Sequence, residues 1–168
     1  MSIKNGITIE EFIESCNKFC EISERLSDGW KFYGNEVDKY KSYIKKCSFL
    51  QQVKSDINTL LRAEFVIFYN LSYGVPSFSF NVWNSSGVLL SLEEIRQMSL
   101  ISINKDNFFS IITQQEHPVL LRPYFVIHPC HTEVLLRELK EVSKNIIVTF
   151  LGLVTPLLRL DLPFEYGL

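Results

Sequence analysis

The chain has 168 residues, of which 46% are hydrophobic and 13% aromatic, so it can form one packed domain over residues 1–168. Its formal net charge is −2, which argues against a nucleic-acid surface and against a polybasic membrane segment. The longest apolar stretch, residues 146–158, is too short to span a bilayer, and the polar start argues against a secretory leader. We therefore expect a cytoplasmic protein whose four cysteines are reduced.

The N-terminal segment carries the pattern of an amphipathic helix. Thr8 and Glu11 have the spacing of a capping box, and apolar residues then recur at helical intervals, which predicts a helix over residues 9–26 that ends near Gly29. The apolar stripe consists of Ile9, Phe12, Ile13, Cys16, Phe19, Cys20 and Leu26. Cys16 and Cys20 lie one turn apart on this stripe, and we interpret them as core residues rather than metal ligands.

The middle of the chain predicts strands over residues 30–33, 40–50, 63–69 and 77–83. Phe78, Phe80 and Val82 alternate with polar residues, which is typical of a sheet with one solvated face. Gly74 and Pro76 indicate the connection between the last two strands.

A turn over residues 84–87 and a short extension over 88–90 follow these strands. A second capping box at Ser91 and Glu94 then predicts a helix to about Met98. The order of helix, antiparallel strands and further helices predicts an α+β fold with the helices separate from the sheet.

The most informative segment is His128, Pro129, Cys130, His131 and Thr132. It lies between an apolar run predicted to be a strand (123–127) and a predicted helix (133–142). Amides at a helix start favour an anion, so a cysteine on such a turn has a reason to be a reactive thiolate. Flanking histidines can add positive charge or accept a proton. The alternative is that Cys130 is only a small loop residue.

Several segments in this order and spacing resemble one protein family. They are residues 69–76 (YNLSYGVP), 91–95 (SLEEI), 115–118 (QEHP), 123–130 (PYFVIHPC), 145–156 and 160–163 (LDLP). Over residues 63–168 the chain resembles the ubiquitin-conjugating-enzyme-like (E2-like) proteins of autophagy, and among them the autophagy-related protein 10 family. His-Pro-Cys after an apolar strand is the most specific of these matches.

The resemblance implies an E2-like fold, an antiparallel sheet flanked by helices, and a transferase that needs no cofactor. Cys130 would accept autophagy-related protein 12 as a thioester from the activating enzyme, autophagy-related protein 7. It would then pass that ubiquitin-like protein to a lysine of autophagy-related protein 5, and the resemblance also implies recruitment to the site of autophagosome assembly. Cysteine suits both transfers because its thioester is close in energy to the one it replaces and reacts readily with amines.

Compared with ordinary ubiquitin-conjugating enzymes, the chain differs at the position of its cysteine. Those enzymes have His-Pro-Asn before the cysteine, whereas Cys130 takes the place of that asparagine. Oxyanion stabilisation would then come from backbone amides over residues 130–132, or from the side chain of His128 or Tyr73. His128 could instead hold the loop through backbone hydrogen bonds. We expect His131 to face solvent and Tyr69 to belong to the core.

Other functions remain open. One is the sister E2-like enzyme that attaches a ubiquitin-like protein of the autophagy-related protein 8 type to a lipid, although that enzyme is longer and has an acidic insertion. Another is a non-catalytic binding module with the same fold. A zinc site would use His128, Cys130, His131 and His117, but their spacing is too tight for the usual ligand pairs. A cysteine hydrolase would need a distant histidine, for which only His117 is available.

Partner surfaces are less defined by the sequence. The strands over residues 63–83 could pair with a partner strand at a sheet edge. Exposed aromatic residues, of which Trp83, Phe108 and Phe109 are examples, could anchor a partner. The terminal segment, residues 160–168, could dock on the body of the protein or remain mobile.

Overall fold

The computed structural model describes residues 6–54, 57–97, 111–156, 158 and 160–168. Helix α1 spans Ile9–Leu26, as predicted. Its capping box is complete, because Thr8 Oγ1 accepts from the Glu11 amide at 3.1 Å and Glu11 Oε2 accepts from the Thr8 amide at 2.8 Å. The helix ends at Ser27, whose φ of 54° is left-handed, two residues before Gly29. Local sequence signals therefore fix both ends of α1.

The sheet of the described residues has six antiparallel strands in the spatial order β1-β2-β3-β4-β6-β5. The strands are β1 (Lys31–Tyr33), β2 (Tyr43–Lys54), β3 (Ile57–Asn70), β4 (Val75–Trp83), β5 (Ile112–Glu116) and β6 (Pro123–Ile127). Helices flank this sheet, so the predicted α+β class is confirmed. The predicted strand over residues 123–127 matches β6 at both ends.

Some strand predictions differ from the structure. Strand β2 begins and ends later than the predicted 40–50, because a 3-10 turn at Lys39–Lys41 precedes it. Pro76 lies inside β4, paired with Tyr69, rather than in the connection. Strand β5 was not predicted, since its residues, Ile-Thr-Gln-Gln-Glu, form no apolar alternation and four of the five are exposed. Residues 88–90 form only an isolated bridge, between Trp83 and Leu89.

One face of the sheet forms the hydrophobic core. Cross-strand partners point to the same face, and the pairs Ala63–Val82, Phe65–Phe80 and Ile67–Phe78 are all buried. Helix α1 supplies Phe12, Cys16 and Phe19 to the same core, which confirms the prediction that its stripe packs against the sheet. Cys16 is fully buried and Cys20 half-buried, as expected for core residues.

Over β4, the prediction that the opposite face of the sheet is solvated was wrong. Ser77, Ser79 and Asn81 are all buried in β4. The turn after β5 covers this face, because the His117 ring lies 4.5 Å from Phe68 and 5.1 Å from Tyr124, between ring centroids. Polar residues tolerate this burial where they find partners: Ser79 Oγ donates to the Val66 carbonyl at 3.0 Å, and Asn81 Nδ2 donates to the Pro123 carbonyl at 2.9 Å.

The described ranges contain three further α-helices, which are α2 (Leu92–Gln97), α3 (Glu133–Leu139) and α4 (Ile146–Val154). The capping box at Ser91 and Glu94 is formed at the start of α2, whereas Met98, Phe108 and Phe109 lie outside the described residues. Helix α3 is shorter than the predicted 133–142, because the amides of Val142 and Ser143 both bond to the Leu139 carbonyl and close the helix there. No helix in the described ranges is long and apolar enough to cross a bilayer.

The C-terminal segment docks on the body of the protein. Its 3-10 turn at Phe164–Gly167 places Tyr166 in a buried stack against Phe19, with ring centroids 4.5 Å apart. The Tyr166 hydroxyl donates to Asp28 Oδ2 at 2.6 Å. Of the two states that the sequence left open for this segment, the structure shows the docked one.

Candidate active site around Cys130

Cys130 lies on a 3-10 turn, Pro129–His131, between the end of β6 and the start of α3. The amide of His128 donates to the Ile111 carbonyl at 2.8 Å, which ties the end of β6 to the residue before β5. Pro129 has no amide to satisfy and its fixed φ suits the first position of a helical turn. Thr132 closes the turn, since its amide donates to the Pro129 carbonyl at 3.0 Å. The cysteine is thus held on a short turn rather than on the first turn of α3.

His128 stabilises this turn through its own side chain. Its Nδ1 accepts a hydrogen bond from the Cys130 amide at 3.2 Å. Because Nδ1 is an acceptor, the neutral imidazole carries its proton on Nε2. Of the two expectations for His128, the geometry directly supports the one in which it holds the loop through a backbone hydrogen bond, and Nε2 takes no part in that bond.

The chain contains four free thiols, which differ in exposure. Cys130 and Cys47 are exposed, whereas Cys16 is buried and Cys20 half-buried. Burial, with a smaller effect of Cys20, raises the pKa of the Cys16 thiol well above its ordinary value. Burial also raises the pKa of Cys20 to about 12. These two thiols stay protonated near pH 7 and are poor nucleophiles, so Cys130 and Cys47 remain as accessible thiols.

Tyr73 lies beside the cysteine turn, on the loop between β3 and β4. Its ring meets the His128 ring edge-on, with centroids 5.5 Å apart. The loop is fixed from two sides: Asn70 Oδ1 accepts from the Tyr73 amide at 3.0 Å, and Arg137 Nη2 donates to the Tyr73 carbonyl at 3.0 Å. Arg137 on α3 was not singled out by the sequence analysis, and nothing in its local pattern pointed to this contact.

Two of the backbone amides expected to stabilise an oxyanion are already engaged. The Cys130 amide donates to His128, and the Thr132 amide donates to Pro129. An amide that already has a partner is a weaker oxyanion donor than a free one. The side chains of His128 and Tyr73 are the other candidates for that role, and their part in it stays a prediction.

His117 takes part in a different environment. It is fully buried, and its Nδ1 accepts from the amides of Val119 and Leu120 at 3.1 Å each. Burial, and secondly the positive charge of Arg122, lowers its pKa to about 4. Its ring contacts Phe68 and Tyr124 rather than an acidic side chain that could orient a catalytic histidine. This environment argues against the hypothesis of a cysteine hydrolase. Within the described residues, no three His, Cys, Asp or Glu side chains are grouped for a metal.

Three other sequence expectations have different outcomes. Tyr69 packs against the core and donates from its hydroxyl to the Ile7 carbonyl at 2.6 Å. Trp83 is half-buried, with the Arg62 guanidinium 4.3 Å from its ring centroid. The side chain of His131 lies outside the described part of the structure.

A cleft of about 750 Å³ approaches the cysteine turn through one of its lining residues, Tyr73. Its walls are residues 6–10 at the start of α1, Tyr40 of the 3-10 turn, the loop between β3 and β4, and the end of α3 with the residues after it. Tyr73 also contacts His128, so one residue connects the cleft with the turn that carries Cys130. Sequence reasoning missed this cleft because its four walls are distant in the chain.

Fold and site together define an α+β protein with an exposed cysteine on the turn that leaves an antiparallel sheet. Residues 11–165 match the family described as autophagocytosis-associated protein, active-site domain. Because this match covers most of the chain, the protein belongs to that family.

Individual relatives carry more specific names. The chain is 33% identical over 121 residues to a human protein named ubiquitin-like-conjugating enzyme ATG10, with 64% of this chain and 53% of the relative covered. A protein of the same name from Arabidopsis thaliana is 32% identical over 114 residues, covering 61% of this chain and 51% of the relative. The chain thus spans about half the length of these curated relatives.

A solved structure described as "Solution structures of KmAtg10" is also similar to this chain. The TM-score is 0.47 and the sequence identity 18%, with 88% of this chain and 94% of that chain covered.

Proposed function

We propose that this protein is an E2-like transferase that carries a ubiquitin-like protein as a thioester on Cys130. The donor is an E1-like activating enzyme of the autophagy-related protein 7 type, and the cargo is of the autophagy-related protein 12 type. The acceptor is a lysine of a protein of the autophagy-related protein 5 type. The names of the relatives support this class of activity, and no cofactor takes part in it.

The observation that carries the proposal is the position of Cys130. It is an exposed, free thiol on a turn anchored at the end of a buried strand, within the region that matches an active-site domain. A rigid strand end holds the sulfur in a defined place, while exposure lets two large proteins reach it in succession. Cys47 is also exposed, but it lies within β2 and not on a turn.

The reaction consists of two acyl transfers. The Cys130 thiolate attacks the thioester carbonyl on the activating enzyme, forms a new carbon–sulfur bond and expels the activating enzyme's thiolate. A neutral lysine amine then attacks the carbonyl on Cys130 and expels the Cys130 thiolate, and the amine proton passes to solvent. The product is an isopeptide bond, and the enzyme returns to its free thiol form.

Each transfer passes through an oxyanion that needs a hydrogen-bond donor. The Nε2 proton of His128 and the hydroxyl of Tyr73 are the side-chain donors that this geometry favours, because the amides of Cys130 and Thr132 already have partners. His128 then has two functions, since it also holds the Cys130 amide from Nδ1. We assign the positioning function to His128 first, because that contact is formed in the free protein.

The cellular setting follows from the same proposal. A protein that exchanges thioesters with a cytoplasmic activating enzyme works in the cytoplasm, with recruitment to the site of autophagosome assembly. The alternative acceptor is a phosphatidylethanolamine amine, as in the sister enzyme. The alternative without catalysis is a binding module in which Cys130 is incidental.

A reconstituted reaction tests the proposal. It contains activating enzyme, nucleotide, this protein and one ubiquitin-like protein, with either the protein acceptor or phosphatidylethanolamine liposomes. We expect a thiol-sensitive adduct on this protein, followed by transfer to the protein acceptor. Transfer only to liposomes would assign the sister activity, and absence of any adduct would support the binding module.

A further inference from the structure

We propose that the cleft beside the cysteine turn docks a lysine- or arginine-rich segment of the protein acceptor. This inference rests on the proposed function, because it assigns a binding surface to the second of the two transfers. The binding role is assigned to charged residues of the cleft and is separate from the roles of Cys130, His128 and the Tyr73 hydroxyl.

The first argument is the balance of charge in the cleft. Both of its cations already have carboxylate partners: Lys140 Nζ lies 3.1 Å from Glu11 Oε2, and Arg137 Nη2 lies 3.5 Å from Glu133 Oε2. Glu10 and Glu141 also line the cleft and are exposed, and neither forms an ion pair with any residue in the described ranges. The cleft therefore presents two uncompensated carboxylates to a ligand.

The second argument is the set of aromatic rings in the same cleft. Tyr40, Tyr69 and Tyr73 all line it, and the Tyr40 and Tyr69 rings lie 5.8 Å apart between centroids. Tyrosine faces attract ammonium and guanidinium groups and also pack against their aliphatic stems. Burial raises the pKa of Tyr69, and the negative charges of Glu10 and Glu11 add to the rise. The field of these carboxylates therefore reaches the tyrosine side chains of the cleft.

The third argument is continuity with the reacting sulfur. Tyr73 forms part of the cleft and contacts His128, which holds the Cys130 amide. A segment bound in the cleft would thus place its lysine next to the thioester. A lysine near pH 7 is mostly protonated and reacts slowly, so prolonged positioning close to the thioester gains rate by proximity. The walls are held by the Arg137 bond to the Tyr73 carbonyl and the Lys140 bond to the Gly6 carbonyl, so the cleft is formed before the acceptor arrives.

The test compares two double variants with the same change in charge. The cleft variant is Glu10→Gln with Glu141→Gln. The control is Glu21→Gln with Glu138→Gln, which removes two exposed glutamates from α1 and α3 that do not line the cleft. Each protein is first charged with the ubiquitin-like protein and then discharged either to the protein acceptor or to hydroxylamine, a small nucleophile that needs no docking.

We expect the cleft variant to form its thioester and to react with hydroxylamine as wild type does. Its KM for the protein acceptor should rise roughly fivefold at low salt, because two exposed charges at the rim of the cleft no longer attract the basic segment. This difference from wild type should shrink as salt is added, since exposed charges are screened. The control should match wild type throughout.

Three results would overturn the inference while leaving the proposed function intact. They are an unchanged KM in the cleft variant, an equal rise in the control, and a slower reaction with hydroxylamine, which would indicate altered chemistry rather than docking. Slower charging of the cleft variant would assign the cleft to the activating enzyme or the cargo instead. Failure of the wild-type protein to form any thioester would remove both proposals together.

Discussion

At the scale of single residues, the site is organised by one local contact and one distant contact. His128 accepts a hydrogen bond from the amide of Cys130, two residues away, and this contact was among the alternatives read from the sequence. The approach of Tyr73 to His128 depends instead on the meeting of the β3–β4 loop with the end of β6. The sequence placed Tyr73 near the cysteine only by family resemblance, because residue spacing does not encode such a contact.

The positioning function of His128 can be separated from any function of its Nε2 proton. In His128→Asn, the amide oxygen of the new side chain can still accept from the backbone amide two residues on, whereas His128→Ala cannot. We expect thioester formation to slow roughly tenfold in the alanine variant, because the sulfur loses its fixed position, and to stay near wild type in the asparagine variant. Single-turnover charging rates provide the measurement. Equal loss in both variants would assign the effect to the imidazole itself.

His117 predicts a pH dependence of stability. In the folded protein its pKa is about 4, whereas an unfolded histidine titrates near pH 6.5. Between these values the unfolded chain binds a proton that the folded chain does not, so stability falls as the pH is lowered, by up to about 3 kcal/mol. Urea unfolding at pH 7 and pH 5 should show a larger loss for wild type than for His117→Asn, which cannot titrate there. The same loss in both proteins would contradict this assignment.

At the scale of elements, the sequence predicted α1 and β6 well because their signals are local. The capping box and the apolar stripe lie within α1, and β6 is a continuous apolar run bounded by proline. Strand β5 was missed because pairing with β6, rather than its own composition, makes it a strand. The second face of β4 was misjudged because the turn that covers it lies far along the chain.

The buried polar face of β4 allows a matched pair of substitutions that should change the free energy of unfolding in opposite directions. Ser77 and Ser79 are both buried in β4, but Ser79 Oγ donates to the Val66 carbonyl whereas Ser77 Oγ has no hydrogen-bond partner among the residues that the structure describes. Ser79→Ala should lower the free energy of unfolding by about 1 kcal/mol, because a buried bond is lost. Ser77→Ala should raise it by up to about 1 kcal/mol, because a buried unpaired hydroxyl is removed. Denaturant midpoints of the two variants provide the measurement, and destabilisation by Ser77→Ala would contradict the burial argument.

At the scale of the whole molecule, the cysteine turn and the neighbouring cleft are built by different sets of segments. The sheet and α3 fix the turn itself, while the start of α1, the 3-10 turn with Tyr40, the β3–β4 loop and the end of α3 enclose the neighbouring cleft. Sequence alone identified the turn, since strand, His-Pro-Cys and helix follow one another in the chain. The cleft arises only when four separate segments fold together, so it could not be predicted. Assignment of Cys130 as the acceptor is therefore a hypothesis that begins in the sequence and gains support from its exposure.

The most direct test of the account is to locate the adduct on the protein. Cys130→Ser should trap the ubiquitin-like protein as an oxyester that resists thiol and is cleaved by alkali. Cys130→Ala should form no adduct, while Cys47→Ala, the matched change at the other exposed thiol, should charge as wild type does. A normal thiol-sensitive adduct on Cys130→Ala would contradict the account, because another cysteine would then carry the chemistry.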